Sequence, residues 1–189
     1  MDAIPADPSH VMSRAGTMLQ LVELGLADID DPAMEYLRIT RGLYNLAVFG
    51  RAVTSALQGL RTYDRQAFDE WYEPWRAEMR DDPLCRFFYA LRTDLLKKTE
   101  IRFGILLGAT GQNVPAVGDI RVYNVALPTM HRGESIQGSS VRDMCHLYVA
   151  YLRQLVESAA PVVYQVHDAF LAKRWPASGE ETSAALPST

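Results

Sequence analysis

The sequence predicts a mostly α protein, a helical bundle around a long central helix with a small two-stranded antiparallel β insertion. Three observations predict this fold. Apolar residues recur at helical spacing through most of the chain, prolines and small polar residues mark helix starts, and two β-leaning runs flank a glycine-rich loop. A chain of 189 residues can bury roughly two thirds of its unfolded surface within one domain.

The composition predicts a globular protein with no general attraction to polyanions. Hydrophobic residues make up 48% and charged residues 22% of the chain, which argues against wholesale disorder. The formal net charge of −4 means that any contact with RNA would need a local basic patch. Because the N-terminus lacks the basic and apolar regions of a signal peptide, we expect a cytoplasmic protein.

We expect neither a metal ion nor a cofactor. Cys85 and Cys145 each lie inside an apolar helical pattern, which predicts two reduced, buried thiols. The four histidines are scattered, and none has a Cys or His at ligand spacing. The Gly-Ala-Thr-Gly segment at 108–111 lacks the lysine and the following helix of a phosphate-binding loop.

The first two predicted helices differ in how clearly their ends are marked. The first covers residues 9–24, with Gly25 as its C-cap. The second begins with Asp31 as N-cap and Pro32 at the first helical position, and it continues to about residue 60. Its length and apolar content make it the central helix. Arg51 interrupts its nearly uncharged stretch at 42–60, so it is a core helix rather than a membrane span.

The third and fourth predicted helices follow without a long loop. Residues 62–80 form the third, and Pro74 inside its pattern should kink or interrupt it. Asp82 caps the fourth helix and Pro83 opens it. This helix should end near Lys98, where cations suit the negative end of the helix dipole.

The remaining elements follow the β insertion. Runs at 101–107 and 120–127 predict its two strands, so the insertion lies near 101–127. Ser139 and Ser140 cap a helix over 141–157, and Pro161 separates it from a last helix over 162–173. We therefore predict one domain at 1–174 and a disordered tail at 175–189.

The candidate binding residues are polar groups on two otherwise apolar helices. Those on the central helix share one face because they are spaced three and four residues apart, and those on the fourth helix form a similar polar line. Polar groups between packed helices cost stability unless they are paired. They either join a structural network, with acceptors such as Glu35 and Asp94, or face a ligand or a partner subunit. The six candidates are Arg38, Arg41, Asn45, Tyr89, Arg92 and Lys97.

Two weaker candidates lie near the fifth helix. Arg142 and His146 are four residues apart on one helix face, and an exposed pair of this kind could hold a phosphate. The other interpretation is a solvated face beside the core. His131 lies in the preceding loop, where a histidine is free to titrate and to contact a ligand.

One segment resembles a known family. Residues 71–75, Trp-Tyr-Glu-Pro-Trp, and 82–97, Asp-Pro-Leu-Cys-Arg-Phe-Phe-Tyr-Ala-Leu-Arg-Thr-Asp-Leu-Leu-Lys, are similar to the helical core of HEPN-type proteins. The resemblance covers about residues 35–99. It implies a small helical bundle that dimerises, in a family with many RNases and toxin or phage-defence components.

The chain departs from the catalytic pattern of that family. Active members carry an Arg and, five to seven residues later on the same helix, a His. After Arg92 this chain has Lys97, Lys98 and Thr99 instead. A lysine can hold a phosphate, but it is a poor general base at neutral pH unless burial lowers its pKa strongly. The resemblance therefore implies the fold and the dimer more than the RNase activity.

Three functional hypotheses remain open at this point. The first is a HEPN-like, catalytically degenerate protein that binds a protein partner or RNA through the polar face between its two core helices. The second is a metal-independent RNase of toxin or phage-defence type, which uses Arg92 with a histidine such as His131 or His146. The third is a structural or assembly protein whose Trp71 and Trp75 segment and β insertion form the contact surface. The expected partners are a second copy, another protein or RNA, and no membrane.

Overall fold

The computed structural model describes residues 7–33, 35–98, 103–106, 119–123 and 125–174. Within these residues the protein is a mostly α bundle with two small antiparallel hairpins, which confirms the predicted fold class. A short 3-10 helix, Gln58–Thr62, follows the second α-helix. The elements are α1 Ser9–Asp30, α2 Tyr36–Leu57, α3 Arg65–Asp81, α4 Pro83–Lys98, β1 Phe103–Leu106, β2 Asp119–Val122, β3 Met130–His131, β4 Glu134–Ser135, α5 Val141–Ser158 and α6 Ala160–Arg174.

Helix α1 does not end at residue 24 with Gly25 as its C-cap, as predicted, but runs six residues further to Asp30, because this glycine serves a close helix contact. A Cβ atom at Gly25 would lie 2.8 Å from the carbonyl oxygen of Gly42 and 2.8 Å from the Cβ of Asn45. The missing side chain therefore lets the backbones of α1 and α2 approach each other, and the glycine stands inside the helix rather than after it.

Helix α2 begins at Tyr36, so the predicted start at Asp31 and Pro32 is wrong. The Asp31 carboxylate accepts a hydrogen bond from the backbone N–H of Ala33, 2.8 Å away, and this contact forms a turn. Helix α2 itself has no side-chain N-cap. The prediction of a long central helix nevertheless holds, since α2 supplies buried residues to the core along its whole length.

Pro74 was predicted to kink or interrupt α3, and of these two outcomes the interruption is wrong, because the helix continues through Pro74. The proline cannot donate to the carbonyl of Glu70, but both residues are exposed and water can reach that carbonyl. The aromatic side chains of α3 pack inward and outweigh the one missing hydrogen bond. At the start of the helix, the Asp64 carboxylate accepts from the N–H of Ala67 at 3.0 Å.

The predicted caps of α4 and α5 are confirmed. Asp82 accepts from the backbone N–H groups of Leu84 and Cys85, at 2.9 and 3.0 Å. Ser140 and Asp143 form a reciprocal capping box at the start of α5. A hydrophobic core built mainly from α1, α2, α4 and α5 encloses the two free cysteines, both buried as predicted.

The predicted β insertion is present as β1 paired antiparallel with β2, with Phe103 opposite Val122. A second, unpredicted hairpin joins β3 to β4 through a turn at Arg132 and Gly133, which have φ angles of 49° and 81°. The predicted tail at 175–189 lies outside the described residues. None of the described helices is long and apolar enough to cross a membrane.

Candidate functional site

A cavity of about 390 Å³ opens between α2, α3, α4 and α5, and we call it the arginine cavity. Arginines from three of these helices surround it, and aromatic side chains form much of the remaining wall. Its volume lies within the range of small-ligand pockets, roughly 300–1,000 Å³. The charged and aromatic lining residues are Arg51, Arg76, Arg80, Arg86, Tyr72, Phe88, Tyr89 and Tyr148.

Phe88 and Tyr148 form a buried aromatic pair in the wall of this cavity. Their rings are stacked, with centroids 3.9 Å apart and planes at 9°. Gly50 of α2 makes this arrangement possible, because a Cβ atom there would lie 2.6 Å from the Tyr148 hydroxyl. Burial raises the pKa of the Tyr148 hydroxyl far above its usual value, so the ring faces the cavity uncharged.

The four arginines of the cavity differ in their partners. Arg51 donates to the Thr54 hydroxyl at 2.8 Å, and Thr54 in turn donates to the Arg51 carbonyl. Arg51 and Arg86 form no ion pair with any carboxylate among the described residues. Arg86 acts on Asp81 only through longer-range attraction, which helps to lower the pKa of that carboxyl.

The two arginines of α3 do have acidic neighbours on their own helix. Arg76 contacts Glu73 at 3.1 Å, and Arg80 contacts Asp81 at 3.0 Å. Both pairs are exposed to solvent, where an ion pair contributes little to stability and exchanges readily. Arg76 and Arg80 can therefore exchange these partners for an anion in the cavity.

The described lining of the arginine cavity contains no carboxylate and no histidine. Burial raises the pKa of the Cys85 thiol, the one cysteine in the wall, so it stays protonated near neutral pH. No group in the described wall can thus act as a general base at that pH. Elsewhere too, the described His, Cys, Asp and Glu residues form no cluster of metal ligands.

The structure places the three predicted site residues of α2 away from this cavity. Arg41 binds Asp28 of α1 through two hydrogen bonds of 2.7 and 2.5 Å, and these bonds hold the pKa of Asp28 below its usual value. Arg38 binds Asp31 and lies 3.5 Å from Glu35. Asn45 packs against Gly25. These residues therefore belong to the contact between α1 and α2 and to the turn that joins them.

The three predicted site residues of α4 have different surroundings. Tyr89 is 63% exposed and lines the arginine cavity, the one predicted residue of the six to do so. Arg92 is partly buried, and its Nε atom lacks a hydrogen-bond partner among the described residues. Lys97 is exposed to solvent.

From its position in a loop, His131 was expected to be free to contact a ligand. In the structure it is buried against Asp82 instead. Its Nδ1 atom lies 3.1 Å from the Asp82 carboxylate, which also accepts from the N–H of Arg132 at 2.7 Å. Burial alone would raise the pKa of Asp82, but the hydrogen bonds from Arg132, Cys85 and His131 outweigh it and lower the pKa. Asp82 stands ten residues before Arg92, roughly 15 Å along α4, so His131 lies far from Arg92.

The β3–β4 turn is fastened by Arg132. Its guanidinium bonds to Glu78 at 2.6 Å and to Gln154 at 2.5 Å, and it lies over the rings of Trp75 and Tyr151. Trp75 also packs edge-on against Tyr151. These contacts join α3, α5 and the hairpin within the chain.

The other sequence candidates also have partners inside the chain. Arg142 and His146 both approach Asp30, at 3.8 and 3.0 Å, so they connect α5 to the end of α1. Trp71 donates from its indole nitrogen to the Ser158 hydroxyl at 3.1 Å. Both tryptophans of α3 therefore make contacts within the bundle.

Sequence reasoning missed the four cavity arginines as a group, although one signal was present. Arg51 is the single charged residue in the stretch 42–60, on a helix that supplies the core. A lone arginine on such a helix marks the place where the helix face meets solvent or a ligand. Arg76, Arg80 and Arg86 could not be joined to it without knowing how α3 and α4 pack against α2.

Comparisons with known proteins identify no relative: no family model, no curated protein and no solved structure matches this chain. The resemblance to HEPN-type proteins therefore stays a prediction that depends on the quoted residues alone. The site must be interpreted from its own chemistry.

Proposed function

We propose that this protein binds RNA at the arginine cavity and does not cleave it. The observation that carries the proposal is the cavity lining, which combines four arginines with the exposed ring of Tyr89 and contains no carboxylate among the described residues. Guanidinium groups bind phosphate through paired, charge-assisted hydrogen bonds. Aromatic rings stack on bases of any sequence. The two features together suit a nucleotide within a polynucleotide.

The net charge of −4 does not prevent RNA binding, because the charge close to the site is positive. An acidic protein can bind RNA if basic groups converge where the phosphate lies, because screening limits the reach of distant charges to about 8–10 Å. Arg51 and Arg86, which form no ion pair among the described residues, supply that local positive potential. The acidic partners of Arg38 and Arg41 neutralise those two residues at the far end of α2.

The absence of cleavage follows from the missing acid–base groups. RNA cleavage of the HEPN type needs a base close to the reacting ribose hydroxyl, and the described cavity wall contains no carboxylate and no histidine. This agrees with the lack of a histidine after Arg92. The HEPN resemblance also implies a dimer and a role in toxin or phage defence, and both stay predictions.

The test measures RNA binding by the full chain with a fluorescent single-stranded RNA of about 20 nucleotides, longer than typical single-strand sites. We expect Arg51→Ala and Arg86→Ala each to raise the Kd roughly tenfold, as expected for the loss of a charge-assisted bond. Each should also reduce the slope of log K against log salt by roughly 0.7, the value for one phosphate contact on a single strand.

Arg41→Ala is the matched control. It removes an arginine from the same helix, but one that is already paired with Asp28. It should leave both the Kd and the salt slope unchanged. Equal losses for Arg41→Ala and Arg51→Ala, or no binding by the wild-type chain, would overturn the proposal. The RNA should be recovered intact, and cleavage that disappears in Arg92→Ala would instead support the RNase hypothesis.

A protein partner is the second candidate, because α2 exposes a line of apolar side chains. Leu37 is 79% and Tyr44 is 42% exposed, and a spacing of seven residues places them on one helix face. This face is the one to mutate if the chain fails to bind RNA. Leu37→Ala and Tyr44→Ala should then reduce partner binding.

A further inference from the structure

A second depression lies beside the arginine cavity, on the other side of α4. It has a volume of about 710 Å³ and lies between α4 and the segment 125–129, and we call it the apolar groove. Its walls include Phe87, Ala90, Leu127 and Pro128. This volume also falls in the range of small-ligand pockets, roughly 300–1,000 Å³.

The two depressions share Arg86 and Tyr89, both of which line each of them. These residues are three positions apart on α4 and so stand on one face of the helix. Tyr89 is 63% exposed, although it is a large aromatic residue. An exposed ring and a cation without a carboxylate partner among the described residues thus form the ridge between the arginine cavity and the apolar groove.

We propose that the ligand is a single-stranded polynucleotide that crosses this ridge, with one nucleotide in the arginine cavity and the next base in the apolar groove. The proposal rests on the proposed function, since it uses the same RNA site. The phosphate between these two nucleotides lies at Arg86. One of their two bases stacks on Tyr89. A duplex does not fit this geometry, because its bases are stacked and paired inside the helix.

The chemistry of the groove suits a base rather than a phosphate. Apolar side chains such as Phe87, Leu127 and Pro128 form part of its wall, and Arg86 is its one described cation. Asp94 also lines the groove, but it stands eight residues beyond Arg86, roughly 12 Å along α4 and away from the proposed phosphate.

The experiment compares ligands of increasing length on the full chain. The probes are inorganic phosphate, uridine monophosphate, a uridine dinucleotide and a single-stranded oligonucleotide, with RNA and DNA forms and a duplex RNA as separate arms. The dinucleotide should bind roughly tenfold more tightly than the mononucleotide, because it adds one stacked base. The duplex should bind no better than the mononucleotide.

Two variants separate the groove from the cavity. Leu127→Glu places a negative charge in the groove, where Leu127 is 43% exposed and does not line the cavity. It should cancel the gain from the second nucleotide and leave mononucleotide binding unchanged. Tyr89→Ala should weaken oligonucleotide binding roughly tenfold through lost stacking, whereas Tyr89→Phe keeps the ring and should keep the affinity.

The outcomes are distinguishable. If neither mononucleotide nor oligonucleotide binds, the proposed function fails and this inference fails with it. If all lengths bind with equal affinity and Leu127→Glu has no effect, the proposed function survives and the path across Tyr89 is refuted. Thermal unfolding of each variant checks its fold, and Ala126→Glu, at a second exposed groove position, replaces Leu127→Glu if that variant unfolds.

Discussion

The two ends of α2 use the same residue type in opposite ways. Near its start, Arg38 and Arg41 bind the carboxylates of Asp31 and Asp28. Three turns further along, Arg51 lies in the wall of a cavity without a carboxylate partner among the described residues. At the first end, which we call the closed end, ion pairs and the tight contact of Gly25 with Gly42 hold α1 against α2. At the second end, which we call the open end, Arg51 lines the arginine cavity.

This difference separates residues that maintain the fold from residues that are available for a ligand. A polar side chain on a core helix indicates a site only if its partners are not already supplied by the chain. The arginines that the sequence singled out on α2 fail this criterion. Arg51, which the sequence showed only as an interruption of an apolar stretch, comes closer to it, because its described partner is the neutral Thr54 hydroxyl and not a carboxylate.

The largest expected effect is on the closed end. Gly25→Ala should lower the free energy of unfolding by about 2 kcal/mol, because its Cβ would overlap the Gly42 carbonyl and force α1 and α2 apart. Urea unfolding at neutral pH measures it. Binding of RNA by the folded variant should be unchanged, since the arginine cavity lies at the other end of α2.

Gly16→Ala provides the matched control for this substitution. Gly16 is also inside α1, but a Cβ atom there would meet nothing within 4 Å. Replacing it should stabilise the protein by roughly 0.5–1 kcal/mol through lower entropy of the unfolded chain. If the two variants changed stability in the same direction, the close approach at Gly25 would not limit the packing of α1 and α2.

Most of the fold could be predicted from the sequence, because helix spacing and caps are local signals. The caps at Asp82 and Ser140 are confirmed, and so are α4 and α5. The errors have a common cause. Gly25 as a helix end and Pro74 as a break were inferred from intrinsic preference, and packing between helices overrode that preference in both cases.

Less of the candidate site could be predicted, because it is assembled from four helices that are distant in sequence. Tyr89 was identified, but on the expectation that α2 and α4 would present one polar face. Which arginines meet a carboxylate depends on how the helices pack, and neither spacing nor composition contains that information. His131 shows the same limit, since Asp82 is 49 residues away in the chain.

A smaller effect should appear in the pH dependence of the closed end. The hydrogen bonds from Arg41 lower the pKa of Asp28 in the folded state below its ordinary value of 3.8. A carboxyl with a lowered folded pKa stabilises the protein above its unfolded pKa and loses this contribution as the pH falls through the folded value. Wild type should therefore be slightly more stable than Asp28→Asn at pH 7, and the difference should vanish well below pH 4.

Urea unfolding of both proteins at several pH values measures this loss. Glu70→Gln is a suitable control, because Glu70 is exposed and pairs only with the neutral Gln66 among the described residues. Its difference from wild type should stay small throughout. A difference between wild type and Asp28→Asn that persisted at low pH would mean that the pair does not depend on the charge of Asp28.

The smallest expected effect on stability comes from substitutions in the arginine cavity at the open end. They test most directly the contrast between the two ends of α2. Arg51→Ala and Arg86→Ala should each change the free energy of unfolding by no more than about 0.5 kcal/mol, because neither arginine forms an ion pair within the described chain. The same variants should weaken RNA binding, so unfolding and binding measured on one preparation should respond independently. If either substitution destabilised the fold as much as Gly25→Ala, that arginine would serve the bundle, and the contrast between the two ends of α2 would disappear.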